Sequence, residues 1–141
     1  MLVAVDRAVS LLRKVPLFSG CTKRELEAIA RATKEVRHRE GHVIAGEGDT
    51  GIGFFLITEG SADVSVGGKI RARLGPGDFF GEISLLDRGP RTATVTASSP
   101  ITLLGLTAWT FRGLVEQHPT IALNMLKVVA KRLRSASKNQ D

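Results

Sequence analysis

Phe79-Phe80-Gly81-Glu82-Ile83-Ser84-Leu85-Leu86-Asp87-Arg88-Gly89-Pro90-Arg91-Thr92-Ala93-Thr94-Val95 is the stretch on which the chain turns. Gly81 permits a tight backbone, and Glu82 to Leu86 is long enough for about one helical turn. The first amides of such a turn lack an internal partner, so they point outward as donors at the positive end of the peptide dipoles. Asp87 to Pro90 is a turn cluster that ends it. Arg91 then opens a strand, Thr92-Ala93-Thr94-Val95, rich in β-branched residues. A guanidinium just downstream of free amides can close a two-pronged contact on a phosphate. Glu82 repels phosphate but accepts hydrogen bonds from sugar hydroxyls. Free amides, Arg91 and Glu82, this close in sequence, suit a ligand that is both phosphate and sugar. The competing reading is a surface loop in which Glu82 and Arg91 form a solvated ion pair.

Upstream, from Lys34 to about residue 106, short β-prone runs alternate with glycine turns. The runs are Val36, Val43-Ile44, Phe54 to Ile57, Ala62 to Val66, Ile70 to Leu74, Phe79-Phe80, Thr92 to Ala97 and Ile101 to Leu106. Such spacing predicts an all-β sandwich or barrel, with Ile44, Phe55, Ile57, Val64, Leu74, Val95 and Leu104 inside. Helical periodicity flanks it on both sides. Val5, Ala8, Val9 and Leu12 mark a helix over 5 to about 14, and Val15-Pro16-Leu17-Phe18 breaks it. Thr22-Lys23-Arg24-Glu25 is a capping box, so a second helix starts at Lys23, buries Leu26, Ile29 and Ala30, and ends near 31–33. Thr107 caps a third helix to about Gln117, with Trp109, Phe111, Leu114 and Val115 as its apolar residues. Pro119 starts a fourth, to about Ser135, striped by Ile121, Ala122, Met125, Leu126, Val129 and Leu133. Ser135 to Asp141 reads as a frayed tail.

The 141 residues suit one domain, 43% of them hydrophobic, and no apolar run approaches a membrane span. Met1 to Arg7 is too short and too soon charged for a signal peptide, and the single Cys21 forbids an internal disulfide. A cytoplasmic setting is expected. The net charge of +6 raises nucleic acid as a partner. However, 6 Phe and 1 Trp make a poor stacking platform, and the cations gather at the chain ends: Arg13-Lys14, Lys23-Arg24, then Lys127, Lys131, Arg132, Arg134 and Lys138. No helix-turn-helix pattern follows the last helix, so this chain is not expected to bind nucleic acid directly.

The Phe79 to Val95 stretch resembles the phosphate-binding cassette of the cyclic nucleotide-binding domain family, the type found in the catabolite activator protein and in protein kinase A regulatory subunits. Phe80-Gly81-Glu82 and Pro90-Arg91-Thr92-Ala93-Thr94-Val95 carry the resemblance. Glu47-Gly48-Asp49-Thr50-Gly51, followed by Phe54 to Ile57 and Gly60, resembles the family's Gly-Glu-x-Gly-Asp turn and aromatic strand. In that register Asp49 stands where Glu is usual, and Ile52 where Asp is usual. Leu74-Gly75-Pro76-Gly77-Asp78 resembles the lead into the cassette, and the helix, Pro-Leu-Phe, helix start is also similar.

The resemblance spans about residues 10–135 and implies an α+β domain: an eight-strand antiparallel jelly-roll-like β-barrel, or double-stranded β-helix, with helices at both ends. Its parts would be one domain over 1–141, with N-terminal helices 5–33, barrel 34–106, cassette 79–95 and C-terminal helices 108–135. It implies a cyclic nucleotide ligand, cAMP, with cGMP as the other option. The site would be Phe80, Gly81, Glu82, Ile83, Ser84, Leu85, Arg91, Thr92 and Ala93. Arg91 would bind the cyclic phosphate, Glu82 the ribose 2′-hydroxyl, and amides around Ile83 to Leu85 would complete the phosphate shell. Thr92 departs from the kinase version, where Ala is common. Its hydroxyl can reach the phosphate or the 2-amino group of a syn guanine. The family's last helix is a lid or a dimer seam, to which Leu85 or Leu86 would transmit cassette movement.

His38-Arg39-Glu40-Gly41-His42 is the rival constellation. On a strand its His, Glu and His would share one face and could ligate a metal, as in a cupin-like barrel enzyme. Gly41 bends the chain there, and His118 is distant in sequence. No metal and no enzymatic activity are therefore expected. Asp78 and Glu82 as a carboxylate pair for glycoside hydrolysis are explained better by binding. The chain reads as a nucleotide-sensing regulatory subunit, with a domain of a Crp/Fnr-type transcription factor or of a cyclic nucleotide-gated channel as the alternatives. A homodimer or an effector domain would meet its C-terminal helix.

Overall fold

The computed structural model describes residues 4–49, 53–87 and 89–139. Thr50, Gly51, Ile52 and Arg88, on which parts of the two turn readings fall, lie outside them. The chain gathers into two compact units, one over 33–110 and one made of 4–32 with 111–139.

The helical unit follows its local signals. Helix α1 (Val5–Arg13) buries Ala8, Val9 and Leu12. Pro16–Phe18 then makes one 3-10 turn, as a proline at the first helical position favours. Helix α2 (Lys23–Ala32) opens on the expected capping box. The Thr22 amide donates to Glu25 Oε1 at 2.8 Å, and the Glu25 amide donates to Thr22 Oγ1 at 3.2 Å. Helix α3 (Ala108–Gln117) buries Ala108 and Phe111, while Trp109 is exposed rather than part of the apolar face. Helix α4 (Pro119–Asn139) continues past Ser135, where a frayed tail was expected, because no Gly or Pro stands in that segment to stop it. Ile121 and Met125 are buried, but Leu126 and Leu133 on the same stripe are 62% and 65% exposed. The Glu25 carboxylate, only 6% exposed, also accepts from Asn124 Nδ2 at 2.8 Å and from Thr120 Oγ1, which ties α2 to α4. Among the described residues, no helix is long and apolar enough to cross a membrane.

The other unit is built from eight strands. They are β1 (Lys34–His38), β2 (Val43–Ala45), β3 (Gly53–Glu59), β4 (Ala62–Val66), β5 (Lys69–Leu74), β6 (Phe79–Phe80), β7 (Thr94–Ala97) and β8 (Ile101–Thr107). They form two antiparallel four-stranded sheets, in the orders β1-β8-β3-β6 and β2-β7-β4-β5, a jelly-roll arrangement. The architecture is the α+β jelly roll expected, with one correction: among the described residues the sheets do not close into a barrel. The edge strand β6 is two residues long, because Gly81 leaves the extended conformation immediately after it. It therefore pairs only through Phe55↔Phe80 and Leu56↔Phe79.

The core between the sheets holds Ala45, Ile57, Ala62, Val95, Ala97, Ile101 and Leu103, with Ile44, Phe55, Val64, Leu74 and Phe80 packed against it. Leu104 is buried outside that cluster; neighbouring strand residues point to opposite faces, and Leu103 is the inward one. Phe55 and Phe80 stack at 5.3 Å between centroids, which adds about 0.5–1.5 kcal/mol beyond their burial. That pair anchors the chain at the point where the cassette begins.

Candidate functional site

Gly81 adopts φ +81°, a left-handed conformation in which an L side chain is strained. The chain then turns through a 3-10 helix at Glu82–Leu85, tighter than the α-turn to Leu86 that the sequence suggested. The Ser84 amide donates to Gly81 O at 3.0 Å, and the Asp87 amide to Ile83 O at 2.8 Å. Ser84 and Leu85 are buried beneath the turn, whereas Ile83 and Leu86 are exposed.

Arg91 enters from the other side. Its backbone is clamped to the β2–β3 turn: the Arg91 amide donates to Asp49 O at 2.7 Å, and the Gly48 amide donates to Arg91 O at 2.8 Å. This clamp keeps Arg91 to Ala93 out of the sheet, so β7 starts at Thr94, not at Thr92 as expected. The Glu47 amide donates to Thr94 Oγ1 at 3.0 Å, and Glu47 Oε1 accepts from the Gly67 amide at 3.0 Å, which fixes the turn from both sides. Arg91 Nη2 donates to Gly53 O at 3.0 Å. Burial pushes the guanidinium's pKa down from its ordinary value, yet no carboxylate among the described residues pairs with it. The solvated Glu82–Arg91 ion pair is therefore absent.

The turn and Arg91 enclose a cleft of about 550 Å³, within the range of ligand pockets. Eight of the nine expected site residues line it: Phe80, Gly81, Glu82, Ile83, Ser84, Arg91, Thr92 and Ala93. Leu85 is buried outside that lining. Asp87 also lines the cleft, as do Val64 and Val95, which face each other across β4 and β7 and make an apolar wall. Strand alternation carried the signal for that wall. Nothing in the sequence marked Gly53, whose backbone carbonyl holds the guanidinium. Chemically, the cleft offers one desolvated cation, Arg91, two carboxylates, Glu82 and Asp87, and an apolar wall.

A search for relatives agrees with this geometry. The family profile of the cyclic nucleotide-binding domain matches residues 35–118. The chain belongs to the cyclic nucleotide-binding domain family. It is 34% identical over 131 residues to the cyclic AMP receptor protein of Thermus thermophilus, covering 89% of this chain and 61% of that protein. It is 35% identical over 127 residues to a cyclic nucleotide-gated potassium channel of Mesorhizobium japonicum, covering 90% of this chain and 35% of the channel. The N-terminal domain of a transcriptional regulator from Streptomyces coelicolor A3(2) superposes with a TM-score of 0.84 at 32% identity, covering 91% of this chain and 95% of that domain. The chain thus spans less than two-thirds of the length of either of the first two relatives.

Two other features of this cyclic nucleotide-binding domain lie outside the cleft. The His38 and His42 rings stack at 3.9 Å, and burial and the charge of His42 lower the pKa of His38. Among the described residues, no three His, Cys, Asp or Glu side chains gather as metal ligands. A second groove, about 870 Å³, runs between Ser19-Gly20 and α4, and its charged residues are Lys127, Lys131 and Arg132. It presents cations without a carboxylate, whereas the cassette cleft has both.

Proposed function

We propose that this domain binds a cyclic nucleotide, cAMP in the first place, in the cassette cleft and reports its occupancy to a regulated partner. The observation that carries the reading is Arg91: half-buried, held by Gly53 O, lining the cleft, and without a carboxylate partner among the described residues. A desolvated cation is stabilised by a counter-charge. A cyclic phosphate carries one negative charge for Arg91, its ribose presents a hydroxyl for Glu82, and its base suits the Val64–Val95 wall. Thr92, exposed on the rim, keeps cGMP as the second candidate. The domain acts as a binding module, not a catalyst.

Reporting would follow as a population shift, in which bound nucleotide favours one position of the cassette turn and the exposed Leu86 carries that position to the C-terminal helices. Ala122, Leu126, Val129 and Leu133 give α4 a seam for a second copy or an effector. The effector would be part of a longer cytoplasmic regulator, of the transcription-factor or the channel kind. Calorimetric titration with cAMP and with cGMP tests the binding. Micromolar or tighter affinity for one of them is expected, and absence of heat with both, from folded ligand-free protein, refutes the reading. Crystal structures with and without nucleotide test the reporting; an unmoved α4 would count against it.

A further inference from the structure

The groove between Ser19-Gly20 and α4 carries its charge in a row. Lys127 and Lys131 stand four residues apart, so they stack on one face of the helix at a rise of about 6 Å, and Arg132 follows. All three are exposed, and none pairs with a carboxylate among the described residues. The helix offers them none, since the sequence holds no Asp or Glu over 117–140. Two polar residues of the lining already donate inside the protein: Ser19 Oγ to Pro16 O at 2.7 Å, and Asn124 Nδ2 to Glu25 Oε1 at 2.8 Å. Val128, Ala136 and Gly20 supply the apolar lining, and Gly20 lies so near α4 that a Cβ there would be 3.1 Å from Asn124 O.

The complement of this groove is a chain of regularly spaced anions. Alternate side chains of an extended peptide share one face and recur about every 6.7 Å, close to the step of the lysine row. No aromatic residue lines the groove, so the bases of a nucleic-acid strand would find no stacking surface. The exposed Leu126 and Leu133 lie outside the lining, so the groove offers a lipid surface cations without a protruding apolar anchor. This chain has carboxylates at alternate positions in Glu25 and Glu27, inside α2, and in Glu47 and Asp49, in the turn that clamps Arg91, so a second folded copy has no free segment to place there. We infer that the groove docks an extended acidic segment of a partner protein, with Lys127 and Lys131 taking carboxylates at alternate positions and Arg132 adding a third positive charge. This docking stands apart from the reading of the cassette cleft.

The lining runs from Asn124 to Ala136, about 18 Å of helix, the length of about five or six extended residues. The probe is therefore a fluorescein-labelled peptide of about eight residues in which Glu alternates with Ala and Val. A control peptide of the same composition has its Glu residues contiguous. Anisotropy titration with the full chain should show tighter binding of the alternating peptide. Replacing both lysines, Lys127→Ala with Lys131→Ala, should weaken it about tenfold, the scale of two partly exposed charge contacts. Arg134→Ala removes a cation of the same helix outside the lining and should stay within about twofold of wild type. Melting is the control for folding, and the double variant should melt as the wild type does, since neither lysine pairs within the described residues. Equal binding of the two peptides, or equal weakening by Arg134→Ala, overturns the inference, because either makes the attraction one of net charge. So does a wild type that binds neither peptide. Tighter binding of a labelled oligothymidylate of equal charge also overturns it and assigns the groove to nucleic acid.

Discussion

Replacing Gly81 by alanine strikes fold and site at one atom. Gly81 holds φ +81°, and an L-residue in that region is destabilised by about 1–2 kcal/mol. The new Cβ would also run into Gly53 O and Arg91 Nη1. Gly53 O is the acceptor that holds Arg91 Nη2 at 3.0 Å. That carbonyl belongs to β3, paired to β8 through Gly53↔Thr107 and Phe54↔Leu106, so it cannot yield cheaply. The guanidinium can give way, losing a hydrogen bond to a charged group worth about 1.5–3 kcal/mol, while the contact with the Gly53 carbonyl remains and adds to the strain. The strain should appear in stability and the displaced guanidinium in binding. Urea unfolding should show a loss of about 1–3 kcal/mol, and cAMP titration a loss of about tenfold or more. Gly67→Ala is the contrast. Gly67 also has positive φ (+57°), but its Cβ would meet nothing within 4 Å. It should lose stability and keep affinity. A Gly81→Ala protein with wild-type stability and wild-type affinity would refute the reasoning.

Three further outcomes follow from single residues. Glu25→Ala removes the acceptor for Thr22, Thr120 and Asn124 and should lower stability by about 2–4 kcal/mol, read as a lower urea midpoint at unchanged slope. Burial pushes the Glu25 carboxyl up, but the bonds from Thr120, Thr22 and Asn124 outweigh it and hold the pKa below 4.5. Its contribution is therefore complete above the unfolded value and is lost as pH falls through the lower folded one, so Glu25→Gln should flatten the acid limb of the stability profile below about pH 4.5. Thr92→Ala should lower cGMP affinity relative to cAMP in parallel titrations; an unchanged ratio removes Thr92 as a selectivity residue.

The signals that read correctly were local ones. Thr22 and Glu25 announced a capping box, and both of its hydrogen bonds are present. Alternation and glycine spacing located the eight strands, and Glu82 and Arg91, singled out for their opposed charges, line one cleft. What escaped depended on distant backbone. Arg91 is held by a carbonyl 38 residues upstream, and a carbonyl has no side-chain signature. The late start of β7 is set by the clamp on Gly48 and Asp49, and the open sheets by the shortness of β6. In α3, Ala108 and Trp109 are adjacent candidates for the inner face, and apolar character alone did not choose between them.

Arg91 is where the account is most exposed, and calorimetric titration of Arg91→Ala with cAMP, beside the wild type, is the direct measurement. Removing one partner of a buried charge-assisted contact should weaken binding by about 2–5 kcal/mol, or roughly thirtyfold to several thousandfold. The variant should still fold, because among the described residues the side chain's hydrogen bond is to Gly53 O alone. A folded Arg91→Ala protein that binds cAMP within about threefold of wild type, a difference below 1 kcal/mol, would contradict the claim that this guanidinium holds the phosphate.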